Sequence, residues 1–174
     1  MRSTGIVRRM DELGRVVIPK ELRRTLKIRE GEELEVLTSD ENELILRKYS
    51  AVEELADFKA DYVRSIYTTT GLTALITDND RVLAVSGKNP PARSGDPMGA
   101  NADELLNLRK CFTVGEKELG KLFKQPRENL SGVCAPIVNG GSVLGSVMVF
   151  GAPLSESLAQ KTAETAADFI SKRI

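Results

Sequence analysis

The chain has 174 residues, enough for one large or two small domains, and its 25 Lys/Arg balance 25 Asp/Glu. It holds no histidine and two cysteines, Cys111 and Cys134, which form no CxxC pair. That composition excludes Ser-His-Asp and Cys-His catalysis and every histidine-based metal site.

Charge is unevenly spread. Residues 1–30 carry nine Lys/Arg against four Asp/Glu, whereas residues 51–174 carry 14 against 15. A basic head on a near-neutral body points to an acidic partner such as DNA or RNA. No apolar run is long enough to span a membrane, and no apolar segment follows Arg8 and Arg9 to make a signal peptide. Two unpaired thiols suit a reducing cytoplasm.

In chain order, residues 1–50 are dense in short β patterns. Ile6 and Val7 lie in the segment Thr4 to Met10, and Gly14 marks a bend. The consecutive β-branched residues Val16, Val17 and Ile18 predict a strand buried on both faces. Pro19 then suits a first helical residue, and Leu22 and Leu26 at helical spacing predict a short helix over Lys20 to Leu26. Leu34 and Val36, then Leu44, Ile45 and Leu46, predict two more strands joined by a polar turn at Ser39 to Asn42. Val16, Val17, Ile18, Leu34 and Val36 are the expected core. A unit of this size, with no disulfide or metal, buries too little surface alone. It is expected to complete its core with a second copy, as an obligate dimer.

Residues 51–70 predict a helix with Leu55, Phe58, Tyr62 and Ile66 on one stripe and Ala56, Lys59 and Val63 beside it, ended by Gly71. This helix is expected to pack on the following domain or to pair between subunits. Thr73 to Thr77 and Val82 to Ser86 flank Asp78-Asn79-Asp80, a hairpin signal. A polar loop with Pro90, Pro91, Gly95 and Pro97 follows, and residues 102–124 read as partly helical. Val133 to Val138 and Val143 to Phe150 predict strands joined at Asn139-Gly140-Gly141. Ser155 or Ser157 is expected to cap a last helix with Leu158, Thr162, Ala166, Phe169 and Ile170 on its apolar stripe. The order of elements predicts an α+β domain, an antiparallel sheet with its terminal helices on one face.

The stretch TGIVRRMDELGRVVIPKELRRTLKIREGEELEVL, residues 4–37, closely resembles the swapped-hairpin DNA-binding domain of the AbrB transition-state regulators. The resemblance covers roughly the first 50 residues. It implies an all-β barrel with a short helix, formed when two chains exchange hairpins, and DNA contacts from arginines at positions matching Arg8, Arg15, Arg23 and Arg24. The residue chemistry agrees. Arg23 and Arg24 lie between Leu22 and Leu26, away from the helix's apolar side, and guanidinium forks suit phosphate oxygens and guanine edges. The helix is too short for a long recognition element, so readout is expected to lean on DNA shape, at pseudo-palindromic or paired A·T-rich sites. Asp11 and Glu12 beside this basic face either pair with Arg9 or set the loop geometry.

Residues 56–174 resemble a GAF domain, and SGVCAPIVNGGSVLGSVMVF with KTAETAADFISKRI resembles the C-terminal half of a family of sporulation regulators from spore-forming bacteria. The domains expected are 1–50 for DNA binding, 51–71 as linker or dimerisation helix, and 72–174 for regulation and oligomerisation, with the GAF-like region counted from 56 when its first helix is included. The resemblance implies a cytoplasmic, nucleoid-associated regulator that activates and represses forespore genes. It implies a homotetramer built through the helices bearing Leu55 to Ile66 and Leu158 to Ile170. GAF domains often bind small molecules between the sheet and the middle helices. The cyclic-nucleotide signature is absent here, and neither ligand, cofactor nor metal is specified.

Two other classes compete. Some GAF-type proteins reduce methionine sulfoxide with cysteines, and Arg109 and Lys110 precede Cys111, but Cys134 sits in an apolar strand pattern where packing is the usual role. An antitoxin would join a swapped-hairpin head to a toxin-binding tail, but such tails are short and disordered, whereas this one is long and well patterned. Within DNA binding, an architectural protein would coat DNA with little selectivity, which an affinity ratio separates from a gene-specific regulator.

Overall fold

A computed structural model describes residues 4–55, 58–126, 130–151 and 156–174. The chain divides into two compact units, Met1–Tyr49 and Ser50–Ile174.

In the first unit, helix α1 spans Lys20–Thr25. Pro19 is its N-cap, with ψ 146° in extended geometry, one position earlier than expected. Strands β1 (Leu34–Thr38) and β2 (Leu44–Lys48) pair antiparallel, with Val36 opposite Leu46. The turn between them closes at Ser39, whose amide donates to the Glu43 carbonyl at 3.0 Å. Asn42, in the left-handed region at φ 58°, lets the chain reverse there.

The expected strand at Val16, Val17 and Ile18 does not form within one chain. Val16 and Val17 are 48% and 74% exposed, and Val36, also expected in the core, is 60% exposed. A strand buried on both faces needs neighbours on both sides. The β1–β2 ladder is this unit's sheet, and it does not extend to residues 16–18. Among the described residues of the unit only Pro19 is buried.

The second unit opens with a 3-10 turn at Glu53–Leu55, then helix α2 (Phe58–Thr70). One unbroken helix over 51–70 is therefore not what forms, and Ala56 lies outside the described residues. Strands β3 (Thr73–Asp78) and β4 (Val82–Ser86) make the expected hairpin. The segment 102–124 is helix, strand, helix: α3 (Ala102–Leu106), β5 (Phe112–Val114) and α4 (Glu116–Leu122). The Gly115 amide before α4 donates to the Glu118 carboxylate at 3.0 Å, which satisfies one donor at that terminus. Strands β6 (Gly132–Asn139) and β7 (Ser142–Phe150) form the second hairpin, and α5 (Glu156–Ser171) closes the chain. Ser157 lies inside α5 and does not cap it; Ser155 lies outside the described residues.

The sheet runs β4-β3-β7-β6-β5, antiparallel throughout. Alternation along the strands sorts their side chains to two faces. Ala74, Ile76, Val147 and Val149 pack with Val63 and Ile66 of α2 and Ala163, Ala166 and Ile170 of α5. Leu75, Met148 and Phe150 pack with Leu106 of α3 and Leu119 and Leu122 of α4. The terminal helices thus share one face, as the pattern predicts, and the short middle elements cover the other.

Candidate nucleic-acid interface

The local fold of DELGR, residues 11–15, follows from one carboxylate and one glycine. Asp11 and Arg15 face each other across a closed loop: the Asp11 amide donates to the Arg15 carbonyl at 3.0 Å, and the Gly14 amide donates to the Asp11 carbonyl at 3.0 Å. Gly14 sits at φ 74°, where a side chain would be strained. Asp11 Oδ1 accepts from the amides of Leu13 at 3.0 Å and Arg15 at 2.8 Å, and Oδ2 accepts from Arg15 Nε at 2.7 Å. The amide of Arg15 beside it, then the Arg15 side chain, hold the Asp11 carboxyl below its usual range.

Arg8 and Arg15 flank this loop, and both are exposed. Arg8 Nη1 donates to the Val7 carbonyl at 3.2 Å. Arg15 uses its Nε edge on Asp11, one of five N–H donors. Arg23 and Arg24 lie in the last turn of α1, exposed, and neither makes an ion pair among the described residues. The helix ends where Ile28 donates to the Arg23 carbonyl at 2.7 Å and Lys27 turns to φ 53°. Among the described residues no bond joins the loop pair, Arg8 and Arg15, to the helix pair, Arg23 and Arg24. Sequence reasoning named the arginines as candidates and left Asp11 undecided between pairing with Arg9 and shaping the loop. Its bonds are to Leu13 and Arg15. The signal was present as an Asp followed at short range by Gly, the composition of a side-chain-closed turn.

The cysteines are poor nucleophiles. Burial pushes the Cys111 thiol up to about 11, with the Glu164 charge and hydrogen bond adding to it. Burial pushes Cys134 much further up. A reactive cysteine needs the opposite shift. Among the described residues no cluster of three His, Cys, Asp or Glu is placed to hold a metal, and no helix is long and apolar enough to cross a membrane.

Comparisons with known proteins divide the chain at residue 54, a few residues past the structural division at Tyr49. The family model described as stage V sporulation protein T C-terminal, transcription factor, matches residues 54–174. The model described as antidote-toxin recognition MazE, bacterial antitoxin, matches residues 7–54. Stage V sporulation protein T of Bacillus subtilis (strain 168) is 36% identical over 176 residues, covering 100% of this chain and 99% of its own. The transition state regulatory protein AbrB of the same organism is 65% identical over 49 residues, 28% of this chain and 50% of its own. The solved GAF domain of an Acinetobacter phosphoenolpyruvate-protein phosphotransferase superposes with a TM-score of 0.50 at 17% identity, covering 72% of this chain and 82% of its own, a likeness of fold alone.

Proposed function

Because the chain belongs to the stage V sporulation protein T family of transcription factors, we propose that it works on double-stranded DNA as paired heads, with Arg8, Arg15, Arg23 and Arg24 of each chain facing the duplex. It is a sporulation transcription regulator that joins an AbrB-like DNA-binding head to a GAF-like C-terminal domain.

The observation that carries the paired reading is the head's exposed apolar surface. Within the first unit Val7, Leu13, Val17 and Leu44 are each 64% exposed or more, and Pro19 is the only buried residue among those described. So much bare apolar surface on about 50 residues is satisfied by a second copy of the same surface. Two heads bring eight arginines to one duplex, and Asp11 fixes the loop from which Arg15 projects.

We assign residues 1–50 to DNA binding, 51–71 to linking, and 72–174 to regulation and assembly. Assembly to a homotetramer is supported by α2 and α5, where Phe58, Tyr62 and Phe169 form an aromatic cluster with ring centroids 5.1–5.7 Å apart. Phe169 and Leu158 remain 37% and 40% exposed on α5. The protein is read as a cytoplasmic, nucleoid-associated regulator of forespore genes, activating some and repressing others, without a catalytic role. Genome-wide occupancy of the full chain, beside its R23A R24A variant, tests this. Sites lost with the fold intact support the reading; sites retained overturn it.

A further inference from the structure

Among the described residues the sheet and its middle helices are packed tightly against each other. Leu75, Met148 and Phe150 meet Leu106, Leu122 and Phe123, and each is at most 2% exposed. A groove of about 510 Å³ lies outside that layer, bordered by Pro91, Pro97, Phe123, Arg93, Asp96 and Lys124. That size falls in the range of about 300–1,000 Å³ common for small-molecule sites.

The groove is held open by bonds that owe nothing to a ligand. The amide of Gly95 donates to the Val82 carbonyl at 2.8 Å, and the Val82 amide donates to the Asp96 carbonyl at 2.9 Å. Ser94 Oγ donates to the Leu83 carbonyl at 2.9 Å, so the loop is stitched to β4. Prolines add walls of fixed φ. The one carboxylate present, Asp96, is engaged by the loop itself, its Oδ2 accepting from the Arg93 amide at 2.7 Å. The side chains of Arg93 and Lys124 have no protein partner among the described residues. A preformed groove with two unengaged cations and proline-lined walls is matched by a dianion on a flat apolar body.

We propose that this groove binds a small organic anion, specifically a phosphate monoester carrying a flat ring. The Arg93 guanidinium takes two phosphate oxygens as a fork, Lys124 supplies the second charge, and the ring lies against the prolines. The groove's wall is also continuous with the start of the unit. Pro97 bridges to Arg81, whose guanidinium holds the Glu53 carboxylate at 2.6 Å in the segment just past the division at Tyr49.

The test is calorimetric titration of the full chain with phenyl phosphate, inorganic phosphate and phenol. Saturable binding of phenyl phosphate is expected, tighter than inorganic phosphate, with phenol silent. The R93Q K124Q variant changes two exposed side chains, keeps the wild-type melting curve, and raises Kd about tenfold or more. An R109Q K110Q control, which removes a cation pair elsewhere on the same domain, binds as wild type does. Absence of saturable phenyl phosphate binding, equal affinity for inorganic phosphate, or an unchanged Kd in R93Q K124Q overturns the proposal.

Discussion

The Asp11 carboxylate binds Arg15 twice, accepting from the Arg15 amide at 2.8 Å and from its Nε at 2.7 Å. An acidic residue thereby organises a basic surface. On charge alone, removing Asp11 strengthens DNA binding, since one repulsive group per chain is lost. On geometry, it weakens binding, because the loop that presents Arg15 opens. We predict that geometry wins: Asp11→Ala lowers affinity for duplex DNA about fivefold, measured by fluorescence anisotropy of the full chain.

The same carboxylate sets a pH dependence. Its folded-state pKa is depressed below the ordinary 3.8. A depressed acid contributes order above its unfolded value and loses it as pH falls through the folded one. The loop is therefore intact across neutral pH and opens only below about pH 3.8. Chemical shifts of the Leu13 and Arg15 amides followed by NMR stay constant from pH 7 to 5 and move together in stronger acid.

Val17 is 74% exposed on the single chain. On a monomeric head Val17→Asp is a surface change costing about 0.5 kcal/mol or less. Between paired heads it buries an unmatched carboxylate and costs about 3 kcal/mol or more. We predict the second outcome: calorimetry of the full chain shows a weakened head transition and an unaltered body transition, and DNA binding is lost.

Phe169 stacks on Tyr62 at 5.6 Å and packs tilted against Phe58 at 5.7 Å, with Arg173 over its ring at 5.0 Å, yet remains 37% exposed. Placing a charge there by Phe169→Glu is predicted to halve the mass of the assembly in sedimentation, from four chains to two, while the head dimer still binds DNA. A wild-type mass in the variant refutes assembly through this helix face.

With its thiol pushed up to about 11, Cys111 is roughly one part in a thousand thiolate at pH 8. Iodoacetamide labelling at that pH is predicted to be slow compared with free cysteine. Glu164→Gln removes the neighbouring negative charge, lowers the thiol pKa and speeds labelling, which mass spectrometry of the Cys111 peptide reads directly.

Legibility in the sequence followed the range of the forces involved. Both hairpins of the second unit could be read because Asp78-Asn79-Asp80 and Asn139-Gly140-Gly141 are local turn chemistry flanked by strands that bury themselves in the same chain. Strand β5 was missed because Phe112–Val114 is too short for alternation to register and lies between two short helices. Val16 to Ile18 read as core from apolarity alone, yet the single chain leaves Val16 and Val17 bare, and an apolar run does not say which chain covers it. The arginines were singled out by residue type. The bonding of Asp11 could not be chosen between its two readings in that way, because it depends on the backbone reversal at Gly14 that brings Arg15 back to it.

The central claim, paired heads presenting clustered arginines to a polyanion, is tested most directly by the salt dependence of duplex DNA affinity for the full chain. Neutralising about six to eight phosphates gives a log–log slope of about −5 to −7. The R23A R24A variant, lacking four cations per head pair, is predicted to flatten it by about 3 to 4. A wild-type slope shallower than about −2, or an identical slope in the variant, contradicts the account.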